Sequence, residues 1–87
     1  MSALPSKLDY DYNKSLLSLR GQRIVDLITG EPMSWGMVVA TCREIGFLPK
    51  EERGALFVVL KRELSPDQYA QWHGHYVRFV LNHRWGA

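Results

Sequence analysis

Residues 65–83 read Ser-Pro-Asp-Gln-Tyr-Ala-Gln-Trp-His-Gly-His-Tyr-Val-Arg-Phe-Val-Leu-Asn-His, and this stretch decides the fold class. Ser65 can cap a helix whose first turn holds Pro66, where a missing backbone N–H costs nothing, and Asp67, whose charge suits the positive helix end. Gln68 follows three residues after the serine, the spacing of a capping box. Behind this start Tyr69, Trp72, Tyr76, Phe79 and Val80 recur at helical intervals and form one apolar row on a helix from Pro66 to about His83. Gly74 interrupts that helix at a cost of about 1 kcal/mol relative to alanine, which points to something packed closely against it.

Working towards the N-terminus, Pro49 suits the first position of a helix running through Lys50, Glu51 and Glu52 to Leu64. Its block Ala55, Leu56, Phe57, Val58, Val59, Leu60 is apolar nearly all round. That is the pattern of a helix touching neighbours on several sides, or of a buried strand, and the flanking Lys, Arg and Glu favour helix. Ser34 can cap Trp35 to Ile45, with Trp35, Val38, Val39, Cys42 and Ile45 as its stripe and Met33 and Val38 at the spacing of a hydrophobic staple. Gly46 is a natural stop, over which Phe47 and Leu48 would pack. Asn13 can cap Lys14 to Ile28, where Leu16, Leu17, Ile24, Leu27 and Ile28 share a face, and Gly30 and Pro32 end that helix. Asn-Gly and Asp-Gly hairpin turns are absent from the sequence. The expectation is an all-α, single-domain four-helix bundle with short connections over residues 13–87, preceded by a flexible polar N-terminal arm over residues 1–12.

At 87 residues the chain has room for one core, and 46% hydrophobic with 23% charged residues is a folding composition rather than a disordered one. A net charge of +2 is too small to mark a protein that coats nucleic acid or an anionic membrane surface. Cys42 is the sole cysteine, so neither an intramolecular disulfide nor a cysteine zinc cluster can form, and a lone thiol favours a reducing, cytoplasmic setting. Met1 to Asp11 hold no apolar stretch of the signal-peptide type, and no apolar run approaches the ~18 residues of a membrane span. Neither secretion nor membrane insertion is expected.

Two charges break the apolar pattern. Arg20 falls between Leu16, Ile24 and Leu27, and Glu63 between Leu56 and Val59, so the two are expected to snorkel or to pair internally. His73, His75 and His83 share the last helix, but residues two apart diverge and residues ten apart are too distant to chelate together; no metal and no cofactor is expected. His73 and His83 fall at the aromatic row as partly buried groups, whereas His75 belongs to an outer face with Gln71, Arg78 and Asn82. Cys42 sits on an apolar stripe as a core thiol. With no nucleophile placed beside a base, the chain is not expected to be an enzyme.

Residues Trp35 to Gly46 followed by Phe47 to Leu64, with Cys42, Ile45, Gly46 and Phe47 at the junction, loosely resemble a DNA-binding helix-turn-helix. The resemblance implies phosphate contacts by Arg43, Lys50, Arg53, Lys61 and Arg62. The chain departs from that pattern at Leu48 and Pro49 in the turn, at Glu51 and Glu52 where phosphates would be met, and in the apolar middle of the second helix. The preferred expectation is therefore a small interaction module, an inhibitor, adaptor or regulator that docks on a larger protein or pairs with its own copy, of the kind common on phage and plasmid elements. Arginine and aromatic groups dominate interface energetics, and the helical core pattern leaves over Arg78, Arg84 and Trp85, with His75 and with Met37 on the back of its helix.

Overall fold

The computed structural model describes residues 7–30 and 34–83, all of it helix and short connections. Among the described residues five helices follow one another: α1 Lys7–Ser15, α2 Leu19–Gly30, α3 Trp35–Gly46, α4 Lys50–Glu63 and α5 Pro66–His83. α2, α3, α5 and α4 close a ring of packed neighbours, and α1 lies against α4 outside it. Among the described residues no helix is long and apolar enough to cross a membrane.

The all-α expectation holds and the count of four does not. The helix expected from Lys14 to Ile28 is broken at residues 16–18, and residues 7–12, assigned to an arm, form the first turns of α1. Asn13 is not a cap but lies within α1, where its Nδ2 donates to the Asp9 carbonyl at 2.7 Å. α1 closes with tight turns, Leu16 N–H on Asn13 O at 3.1 Å and Leu17 N–H on Lys14 O at 3.2 Å. Ser18 then caps α2, its Oγ accepting from Gly21 N at 3.2 Å. A capping box would place an acid or amide at Gly21. Here the carboxylate comes from α4: Glu52 Oε2 accepts from Ser18 N at 2.9 Å and from Ser18 Oγ at 2.6 Å. A Cβ on Gly21 would overlap that oxygen, so the glycine is what lets α4 reach the start of α2.

The other two serine caps form as the sequence implies. Ser34 Oγ accepts from Met37 N at 3.2 Å. Ser65 and Gln68 exchange both bonds of a capping box, at 3.1 and 3.2 Å. Met33 and Pro32 lie outside the described residues.

Each ring helix contributes a stripe to the core: Ile24 and Ile28 from α2, Val38, Cys42 and Ile45 from α3, Ala55, Leu56, Val59 and Leu60 from α4, and Trp72 and Phe79 from α5. α4 meets α1, α2 and α5, which accounts for the apolar block at its middle, residues 55–60. Trp72 is fully buried among Phe57, Tyr69 and Tyr76, with Tyr76 stacked on it at 5.4 Å between centroids. Leu48 packs under the end of α3, but Phe47 beside it is 71% exposed. Leu16, Leu27 and Trp35, expected inside, are all substantially exposed. Among the described residues nothing lies within 4 Å of where a Gly74 Cβ would stand, so the close packing expected there is not supplied by any of them.

Candidate functional site

Trp35 is the first residue of α3, one turn beyond the level at which Val38 enters the core, and 42% of it stays exposed. Two α5 side chains converge on it. The Arg78 guanidinium lies 5.5 Å from its ring centroid, and the half-buried His75 ring lies tilted at 5.8 Å. His75 is thus turned towards α3 rather than sharing an open face with Gln71 and Asn82. A tryptophan in contact with a cation and an imidazole from one neighbouring helix loses less rotamer freedom on binding than a free one, and tryptophan and arginine are among the residues enriched at interface anchors. Met37, expected to be exposed, is half-buried and packs on the core. Arg84 and Trp85 lie outside the described residues, as does the side chain of His83.

The basic residues expected to contact phosphates do not share one face. Lys61 lies over Tyr69 of α5 at 5.8 Å, whereas Arg62 lies over Tyr10 of α1 at 5.6 Å, on the other flank of α4. Arg43 and Lys50 are exposed and Arg53 is half-buried. Ala55, Leu56, Val59 and Leu60, the middle of the helix that would read bases, are buried. Of the acid pair at the start of α4, only Glu51 is presented to solvent, since Glu52 is buried against Ser18.

Arg20 and Glu63 do not pair with each other. Arg20 reaches Glu44 of α3 at 3.9 Å and its guanidinium lies 5.4 Å from the Phe47 ring. Arg23 reaches the same carboxylate at 3.8 Å. Glu63 accepts a hydrogen bond from the Tyr10 hydroxyl. That bond, with a smaller contribution from burial, raises the tyrosine above its ordinary range. The pair borders a groove of about 230 Å³ between α1, α2 and α4, floored by Leu17, Val25 and Val59 and rimmed by Lys14, Gln22, Asp26 and Thr29.

His73, expected to be partly buried, is exposed and stacks on Tyr69 at 5.6 Å. Cys42 is fully buried, and desolvation pushes its thiol up to about 12. Among the described residues no three His, Cys, Asp or Glu groups are placed to share a metal ion. Compared with protein families, with characterised proteins and with solved structures, the chain matches none. What defines it is its own geometry: a small all-helical protein with a clamped, exposed tryptophan.

Proposed function

We propose that this protein is a small non-enzymatic interaction module of the cytoplasm that docks as an inhibitor, adaptor or regulator on a larger protein. The observation that carries this reading is Trp35, 42% exposed while Arg78 and His75 hold its ring in place. Tryptophan and arginine are enriched among the residues that carry interface affinity, and a restricted rotamer lowers the entropy that binding must overcome. The lone buried thiol supports the reducing compartment.

Trp35→Ala tests this directly. Alanine is the better helix former, and a half-exposed ring contributes modestly to the core, so the variant is expected to melt within a few degrees of the parent. A partner captured from the native host by the parent chain should be lost from Trp35→Ala and weakened by Arg78→Ala, with about 2 kcal/mol or more of binding lost for the tryptophan. Retention of the same partner at undiminished affinity by both variants would place the docking surface elsewhere.

A further inference from the structure

On the outer side of α5, Ala70, Gly74, Val77 and Leu81 are separated by four, three and four residues, the alternation of a heptad seam. All four are exposed, Leu81 at 69%. The buried Trp72 and Phe79 occupy the opposite side of the same helix, so α5 carries two apolar faces and spends only one on its own core. Gly74 weakens the helix, yet nothing in the described chain needs its missing side chain.

We propose that this face docks a second copy of the chain, α5 against α5, antiparallel about a twofold axis between Gly74 and Val77. The residue sizes choose both the occupant and the orientation. In the antiparallel register every layer sets a small residue against a larger one: Ala70 against Leu81 of the second copy, Gly74 against Val77, and the same two layers again by symmetry. A parallel pair would stack glycine on glycine and alanine on alanine, leaving voids, and would bring Asp67, the preceding seam position, against its own like charge. The antiparallel pair separates the two Asp67 carboxylates and runs the helix dipoles in opposite directions. Gln71 flanks the seam, the Arg78 guanidinium beside it stays on the Trp35 ring, and the twofold axis brings no like-charged pair to one level across the interface. Four layers bury less than the ~800 Å² per partner of a standard interface, so the dimer is a reversible one that dissociates between about 1 µM and 1 mM. The inference stands apart from docking at Trp35, because substitution at Gly74 leaves the indole and its α3 surroundings in place.

Sedimentation equilibrium over that concentration range tests it. The parent should rise from 10.0 kDa towards twice that mass, while Gly74→Glu and Leu81→Glu should stay at 10.0 kDa with unchanged helical dichroism. For orientation, Ala70→Cys and Leu81→Cys chains oxidised as a mixture should form the mixed disulfide in preference to either self-disulfide. Cys42 stays silent in this experiment because it is fully buried. A parent that remains at 10.0 kDa at about 1 mM overturns the proposal. So does a dimer that survives both glutamates, preferential self-linkage of the single-cysteine chains, or loss of helix in both variants, which would mean the face is not free.

Discussion

Glu52 carries more of the fold than its place in the sequence implies. At the second position after the start of α4 it reads as an ordinary acid near a positive helix end, and Glu51 beside it behaves as one. Glu52 instead turns inwards and is 8% exposed, with one oxygen accepting both the backbone N–H and the hydroxyl of Ser18, 34 residues earlier in the chain. Bonds to a charged acceptor contribute about 1.5–3 kcal/mol each, and removing the acceptor leaves the partly buried Ser18 donors to be satisfied some other way. Glu52→Ala should therefore lower the unfolding free energy by about 2–4 kcal/mol, read as a lower urea midpoint, while Glu51→Ala stays within about 0.5 kcal/mol of the parent. Equal effects of the two substitutions would show that the Ser18 contact adds nothing to folding. No local pattern could have distinguished them, because helical periodicity describes a residue's own helix and is silent about the partner.

The same blindness explains which elements the sequence could show. Where a cap is closed by neighbours in the chain, as at Ser65 with Gln68 and at Ser34 with Met37, the element begins where its residues say it should. The start of α2 is closed by a carboxylate from α4, and Ser18 followed at the third position by glycine offers no local capping box, so α1 and α2 read as one helix behind an arm. Glycine chemistry at the two sites separates them experimentally. Gly21→Ala introduces a methyl into the space held by Glu52 Oε2 and Leu17, and should destabilise the protein although alanine is the better helix former. Gly74→Ala enters open space and should stabilise the chain by up to about 1 kcal/mol, measured at a concentration low enough to keep it monomeric. Thermal midpoints that move in the same direction for both variants would contradict this difference in surroundings.

At the scale of the whole molecule, the ring of four helices was legible because each supplies a stripe, and the fifth was not because α1 is polar, with Tyr10 as its main contact with the core. The candidate site was legible in part. Arg78 and His75 stood out as residues the core row did not use, but Trp35 was absorbed into the α3 stripe, since periodicity cannot show that a first-turn residue overhangs the neighbouring helices. The closed core also sets how the molecule responds to pH. Burial pushes the Cys42 thiol from an ordinary 9.0 up to about 12, burial raises Tyr69, and the hydrogen bond to Glu63 raises Tyr10. All three hold their protons more tightly folded than unfolded. Below about pH 9 both states are protonated and these groups leave stability unchanged; above it the unfolded chain releases its protons first, and stability falls as pH rises towards 12. The urea midpoint should thus be level between about pH 7 and 8.5 and decline steadily by pH 10.5, with a shallower decline in Cys42→Ala once its lower starting stability is subtracted. A midpoint that stays level to about pH 11 would mean that these groups titrate alike in both states and that the core around Cys42 admits water.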